Sequence, residues 1–335
     1  MAQFKAAVVG LGQIGLTYDL DPKRERPSSH SVAYSLHPDI ELVAAADVNR
    51  EQGKVLHSLV PKARFYQSLP ELLKNHTPDI ISICTSPVHH LPAIQYILDN
   101  STAKIIFCEK PLVHFLQEAV LLKKTFKDSA CLLVPNLSRR WNNGMQQVKK
   151  EVASGKYGEL QKIHVKYTRG IYNTGAHIFD LIHWWVGQID QVQVIYRVDT
   201  SADADDDPSF TFTFRIGDKI TGFAEAFNDK QYYMFEMDLY FSKGKISIRN
   251  SGDEVSYYCV GDHPLFSGFN SLNLERQEGK LLADANLANA ISNLANVLAG
   301  IEQPRCTVDD SIYPLYVAQA LLQSYNNNFS LERVE

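Results

Sequence analysis

Through the first 134 residues, short runs of apolar positions alternate with longer amphipathic stretches. The runs at 4–9, 40–46, 64–66, 79–84, 104–108 and 130–134 read as strands. The stretches around 31–37, 50–59, 68–75, 90–99 and 114–127 read as helices. Runs such as AAVV, VAAA and IIF show no apolar–polar alternation, so these strands are buried on both faces. Helices between strands of that kind predict a parallel, doubly wound sheet. Near Pro135 the rhythm changes. A helical stretch at 144–154, a strand at 160–168 and a helical stretch at 176–186 come first. The runs QVQVIYRV, SFTFTFRI, ITGFAEAF, YMFEMDLYF, GKISIR and EVSYYCV follow between 190 and 260. These largely alternate and are split by turn signals such as Ile216-Gly217-Asp218-Lys219 and Ser242-Lys243-Gly244-Lys245, the signature of antiparallel pairing. Two helical stretches, 284–299 and 310–326, close the chain. The predicted fold class is α/β. A doubly wound parallel sheet occupies 1–134, and an α+β domain with a large, mostly antiparallel sheet occupies 135–335, its last helices free to pack back on the first domain.

A chain of 335 residues is long enough for two domains with sizeable cores. Its apolar fraction of 45% is ordinary for a soluble globular protein. A net charge of −5 with interspersed signs gives no basis for a nucleic-acid or anionic-membrane partner. No apolar stretch approaches the length of a membrane span. The first strand begins almost at the N-terminus, which leaves no room for a signal peptide. The five cysteines (Cys84, Cys108, Cys131, Cys259 and Cys306) are odd in number and lack a C-x-x-C pair. They read as reduced thiols of a cytoplasmic protein, none with a neighbouring base and none at zinc spacing. The acidic run Asp203, Asp205, Asp206 and Asp207 reads as a solvated loop; it lacks the glycine and terminal glutamate of a calcium loop.

Chemistry concentrates at predicted strand C-termini. The segment AAVVGLGQIG (6–15) sets Gly10, Gly12 and Gly15 at G-x-G-x-x-G spacing, with Gln13 and Ile14 completing the turn. Gly10 suits the tight turn, Gly12 lets a pyrophosphate approach the backbone, and Gly15 lets a helix pack on the strand with its N-terminus towards the phosphates. Asp47 ends the second strand, where a carboxylate bonds ribose hydroxyls and favours NAD over NADP; Arg50 nearby keeps NADP open. Asp47 follows Gly15 by 32 residues, against a usual gap of about 20. About a dozen residues, 18–29, therefore read as an insert. It is either a solvated loop or a flap whose Arg24 or Arg26 reaches a phosphate or a substrate carboxylate.

The fourth strand ends in CTSPVHH (84–90). Thr85 and Ser86 fall at the crevice near a nicotinamide ribose, and Pro87 starts the turn. His90 either packs at the helix start or belongs to the cofactor contacts. The fifth ends in CEKPL (108–112), which puts the Lys110 ammonium at the same crevice. Pro111 restricts the turn, and Glu109 is placed to orient the ribose or the lysine. A lysine beside a cationic nicotinamide has a lowered pKa and can exchange a proton with a substrate hydroxyl. In NTGAHIFDLIHWWVG (173–187), His177, Asp180 and Trp184 recur at helical spacing. His177 is either a proton relay or a core residue, and Asn173, one turn earlier, can bond a sugar hydroxyl. Arg139, Arg140, Trp141 and Tyr167 are candidates for the substrate side, or equally for packing at the domain junction.

Taken together, these motifs resemble the glucose–fructose oxidoreductase/inositol dehydrogenase (Gfo/Idh/MocA) family nearly end to end. The resemblance rests on GLGQIG, Asp47, the T-x-P-x-x-H form of Thr85, Pro87 and His90, and Glu109-Lys110-Pro111. SRRW (138–141), SGKYGEL (154–160), the G-x-H-x-x-D pattern from 175 and the tail at 304–324 extend it. It implies an NAD(P)-binding Rossmann domain. It also implies a substrate-binding domain whose open sheet forms a homodimer or homotetramer. The substrates implied are sugars, sugar nucleotides, cyclitols or related polyols, with Lys110 and His177 catalytic. The implied activity is NAD(H)-dependent hydride transfer to or from a carbinol. An NAD-retaining lyase or glycosidase using transient oxidation, or a catalytically silent NAD sensor, are the alternatives. Many members carry aspartate where this chain has Asn173, which puts a Lys–Asp–His relay in doubt here, and the insert at 18–29 is a second departure.

Overall fold

The computed structural model describes residues 3–113, 115–200 and 207–335. They form two compact units. The first runs to Asn142 and takes in Ala283–Ile312; the second holds Asn143–Leu282 and Tyr313–Glu335.

The first unit alternates β1 (Phe4–Val9), α1 (His30–Leu36), β2 (Ile40–Ala46), α2 (Glu51–Leu59), β3 (Arg64–Tyr66), α3 (Leu69–Asn75), β4 (Ile80–Ile83), α4 (His90–Asn100), β5 (Ile105–Cys108), α5 (Leu116–Phe126) and β6 (Leu132–Pro135). Six strands form one sheet in the order β3-β2-β1-β4-β5-β6, and every pairing is parallel. The chain winds outward one way from β1 and the other way from β4, so a crevice opens beyond the C-terminal ends of those two neighbours. Strands β4 and β5 are buried at every position. This matches their unbroken apolar runs except at Ser82, a polar residue sealed inside the sheet.

The insert is spliced into the first crossover. Behind the glycines the chain makes one helical turn, with the Leu16 and Thr17 N–H groups donating to Gly12 O and that of Tyr18 to Gln13 O. It then departs, and α1 resumes at His30. The His30 N–H donates to Ile14 O at 3.0 Å and the Ser31 N–H to Gly15 O at 3.1 Å. In an unbroken helix those carbonyls would be taken by donors four residues on; here the donors come sixteen residues on. The helix expected directly behind Gly15 is therefore a single turn, continued in space by α1. The insert holds itself together: buried Asp19 accepts from Arg26 Nε (3.3 Å), Ser28 N–H (3.1 Å) and the Ser29 hydroxyl. Arg24 lies 3.6 Å over the Tyr18 ring and 3.5 Å from Asp21, so both guanidinium groups have partners within the loop.

The second unit contains α6 (Asn143–Ala153), β7 (Leu160–Tyr167), α7 (Gly175–Trp185), β8 (Gln191–Val198), β9 (Ser209–Ile216), β10 (Ile220–Ala226), β11 (Phe235–Phe241), β12 (Gly244–Arg249), β13 (Glu254–Asp262) and β14 (Asn270–Glu278). Two helices, α8 (Asn286–Leu298) and α9 (Val308–Asn326), and a short β15 (Glu332–Arg333) complete the chain. The sheet has nine strands in the order β14-β13-β12-β11-β7-β10-β9-β8-β15. Among the described residues, only the β7–β10 pairing of this sheet is parallel. Strand β14 reads NSLNLERQE and is exposed or half-buried throughout. As an edge strand with no buried face it carries no alternation to detect. No helix among the described residues is long and apolar enough to cross a membrane.

The two C-terminal helices divide between the units. Helix α8 puts Leu287, Ala290, Ile291 and Leu294 into the same core as Val8, Phe107 and Trp141. Its apolar stripe is satisfied by the first unit although it follows the second in sequence. Only α9 from Tyr313 onward joins the second core, through Val317, Ala318 and Leu321. Leu294→Ala should cost about 2–5 kcal/mol, the range for truncating a buried leucine. Leu282→Ala, at an exposed position, should stay within about 0.5 kcal/mol. Denaturant midpoints of the two variants check this, and equal small shifts would remove α8 from the core.

Candidate functional site

Two of the three glycines are required by packing, each for its own reason. Gly10 leaves β1 at φ +91, a left-handed conformation, and a Cβ there would lie 2.7 Å from Thr85 N. Gly15 has no room at all: its Cβ would lie 1.9 Å from Gly10 O. Gly12, by contrast, faces open space. The turn is thus pressed against the end of β4 on one side and bare on the other. The Gly10 N–H donates to Ala46 O at 2.8 Å, which ties the turn to β2. Asp47 adds a second tie, accepting from the Leu11 N–H at 2.6 Å and the Asn49 N–H at 2.8 Å.

These ends enclose a cleft of about 480 Å³ lined by Gly10, Gly12, Asp47, Thr85 and Ser86, with His89 and Gln67 also on its wall. The Thr85 hydroxyl is buried there with no hydrogen-bond partner. A bare glycine backbone, a half-buried carboxylate and an unsatisfied hydroxyl at switch-point strand ends fit a dinucleotide. Of the other expected contacts, Gln13 accepts from the Tyr18 hydroxyl at 3.2 Å, Ile14 packs on the core, and Gly15 and Pro87 shape turns.

Lys110 follows β5, and the segment around it is held from below. Glu109 Oε1 meets His30 Nε2 at 2.8 Å and accepts from Asn136 Nδ2 at 2.6 Å, while Oε2 accepts from the Lys110 N–H at 3.3 Å. His30 Nδ1 meets the Ser82 hydroxyl at 3.0 Å, and Ser82 meets the Tyr34 hydroxyl at 2.8 Å. Burial alone would push the Glu109 carboxyl up. The bonds from His30 and Asn136, the His30 charge and the Lys110 N–H together hold it below the ordinary carboxylate range. Burial and that same carboxylate push the Cys84 and Cys108 thiols well up, which keeps them inert. His90 is wholly buried: its Nε2 lies 2.9 Å from Thr85 O, its Nδ1 3.0 Å from Pro111 O and 3.2 Å from Leu112 O. One imidazole therefore couples the cleft wall to the Glu109-Lys110-Pro111 segment.

In the second unit, Arg169 (φ 65) and Gly170 (φ 67) turn the chain into a π-type turn, Gly170–Thr174, that leads into α7. Both oxygens of Asp207 grip this turn, accepting from the Tyr172 N–H at 2.7 Å and the Asn173 N–H at 2.9 Å. His177, only 8% exposed, sits near the start of α7 with buried Asp180 one turn on. Asp207 is the last of the acidic run and is a clamp for the turn, not solvated loop; Asp203, Asp205 and Asp206 lie outside the described residues.

For three of the substrate-side candidates, burial and hydrogen bonding fit the packing alternative. Trp141 is 0% exposed, edge-on to Phe107, with Nε1 donating to Asn136 Oδ1 at 2.9 Å. Arg140 is 3% exposed, paired with Asp310 at 2.9 Å and donating to Arg305 O. Tyr167 is buried, its hydroxyl donating to Phe210 O at 2.7 Å and accepting from the Phe210 N–H. All three side chains are committed to the fold. Sequence reasoning passed over His30 and Asn136 and placed Asp207 in a solvated loop. Ser82, a lone hydroxyl in an apolar strand, was the available sign that something polar is buried beside it.

Residues 4–137 match the model of the GFO_IDH_MocA oxidoreductase family, NAD-binding Rossmann fold. The chain is 23% identical over 197 residues to inositol 2-dehydrogenase of Salmonella typhimurium, 55% of each chain. The chain so spans about half the length of the curated relatives it matches. Its fold resembles that of the WlbA dehydrogenase from Bordetella pertussis in complex with NADH and UDP-GlcNAcA. The TM-score is 0.79 at 16% identity, over 100% of this chain and 98% of that one. It also resembles levoglucosan dehydrogenase in complex with NADH and levoglucosan, with a TM-score of 0.78 at 13% identity over 99% of both. At such identities the likeness establishes the fold. Residues 4–137 thus form a domain that matches the NAD-binding Rossmann fold of the Gfo/Idh/MocA oxidoreductase family.

Proposed function

We propose that the chain is an NAD(H)-dependent oxidoreductase that moves a hydride between nicotinamide C4 and a carbinol carbon of a sugar, sugar nucleotide or cyclitol. The observation that carries this reading is the shared imidazole of His90. It ties Thr85, on the cleft wall, to the backbone immediately after Lys110. The printed activities of relatives support the substrate class: an inositol 2-dehydrogenase, a D-glucoside 3-dehydrogenase and a levoglucosan dehydrogenase.

The bare backbone at Gly12 accommodates a pyrophosphate, and each Asp47 oxygen keeps lone pairs for ribose hydroxyls after serving one backbone N–H. The Asp47 charge opposes a 2′-phosphate, which favours NAD over NADP even with Arg50 nearby. When bound, the nicotinamide supplies a hydride acceptor or donor at C4. Lys110 takes the hydroxyl proton as the alcohol is oxidised and returns it on reduction. His177 assists as relay or hydrogen-bond partner to that hydroxyl. Asn173 positions a hydroxyl without taking its proton, since a carboxamide does not protonate at neutral pH. The first unit binds the cofactor, and the second binds substrate and associates through its open sheet into a homodimer or homotetramer. Cysteines that form no disulfide among the described residues suit the cytoplasm. Asn173 also favours a second reading, in which NAD is retained and recycled or only sensed. A panel of sugars, cyclitols and sugar nucleotides separates the two, because net NADH absorbance changes only in the first.

Lys110→Ala should lower kcat by about 10²–10⁴-fold, the usual share of general acid–base catalysis, while calorimetry finds NAD affinity nearly unchanged. Undiminished turnover would remove Lys110 from the chemistry. Asp47→Ala should weaken NAD binding by about 10- to 100-fold, the worth of hydrogen bonds to a charged group. It should weaken NADP binding less, and an equal loss for both would deny Asp47 its discriminating role.

A further inference from the structure

Residue 110 lies between two buried imidazoles. On one flank His30, on α1, holds the Glu109 side chain; on the other His90, on α4, holds the carbonyls of Pro111 and Leu112. Four consecutive residues are thus gripped at both ends from separate helices. A packing plug here would be apolar, because apolar groups of the same shape replace a buried pair without loss or with a gain in stability. On the His30 side the arrangement is instead fully polar and directionally consistent. The Glu109 carboxylate only accepts, so His30 Nε2 carries a proton, and the hydroxyls of Ser82 and Tyr34 complete the chain beyond Nδ1. His30 reaches this position only because the splice returns α1 to the glycine turn, through its own N–H on Ile14 O.

We propose that His30 is a positioning residue for the proton exchange at Lys110: its Nε2, 2.8 Å from Glu109 Oε1, holds the side chain that accepts from the Lys110 N–H and so fixes the backbone from which the Lys110 side chain springs. This rests on the role assigned to Lys110 above. The groups facing Glu109 are His30 from α1, Asn136 after β6, the Lys110 N–H, and the thiols of Cys84 and Cys108, both pushed towards the neutral form. Without His30, burial dominates and the Glu109 carboxyl moves up. Activity that needs the carboxylate is then present at high pH and lost as pH falls through the raised value.

The test follows the ¹³C carboxyl resonance of Glu109, identified by its loss in Glu109→Gln, alongside kcat. In the wild type the resonance should stay at its carboxylate position from about pH 5.5 to 8.5, and in His30→Ala it should titrate within that range. At the acid end kcat of His30→Ala should fall by about 10- to 100-fold, the cost of a misplaced catalytic group. It should recover at the alkaline end, with NAD affinity little changed. His30→Gln, whose amide can donate to Glu109, should restore both readouts. Where His30→Ala yields little folded protein, His30→Leu, closer to its volume, carries the same comparison. A Glu109 resonance indifferent to the loss of His30 overturns the proposal. So does a fall in kcat that is the same at every pH and is not rescued by glutamine. If the wild type turns over no polyol while the resonance behaves as expected, the function proposed above fails and the clamp stands.

Discussion

The first unit depends on a steric constraint: at residues 10–15 the chain has to pass within contact of its own strand ends. A side chain at Gly15 would overlap Gly10 O, and one at Gly10 would overlap the backbone of Thr85. Because nothing larger fits, the turn, the end of β2 and the end of β4 converge, and Gly12 is left facing open space. The cleft is the volume this convergence cannot fill. Hydrogen bonds then freeze the arrangement, from Gly10 to Ala46 and from Leu11 to Asp47.

That constraint also explains how a twelve-residue interruption is tolerated so close to the site. The carbonyls of Ile14 and Gly15 need donors wherever the chain goes, since buried carbonyls without partners are costly. The helix resumes where His30 and Ser31 supply them. The loop between has its own buried anchor at Asp19, so the turn next to the cleft does not depend on solvent-exposed contacts. The same return delivers the His30 ring beneath Glu109, which links the insert's far end to the segment carrying Lys110.

The doubly wound sheet was legible because burial on both faces leaves long apolar runs, and the order of motifs along the chain located Gly10, Gly12, Asp47, Thr85 and Ser86 on the cleft. What the chain's local pattern does not carry is partnership across distance. Arg140 looks like a ligand contact until Asp310, 170 positions away, neutralises it in the interior. Trp141 and Tyr167 read equally as substrate-side or packing residues until Asn136 and Phe210 absorb their polar atoms. Asp207 resembled solvated loop because its acceptors are spent on backbone donors of Tyr172 and Asn173, 35 and 34 residues earlier. Edge strand β14 escaped for the opposite reason, having no buried face to impose a pattern.

The central claim is that the glycine turn and Lys110 serve one nicotinamide dinucleotide. The most direct measurement is a crystal structure of the protein with NADH and a polyol bound. The pyrophosphate should then lie over Gly12, the adenosine ribose on Asp47, and the Lys110 ammonium about 3 Å from the hydroxyl of the carbon facing C4. A dinucleotide seated elsewhere, or one whose nicotinamide ring lies out of reach of Lys110, would contradict it.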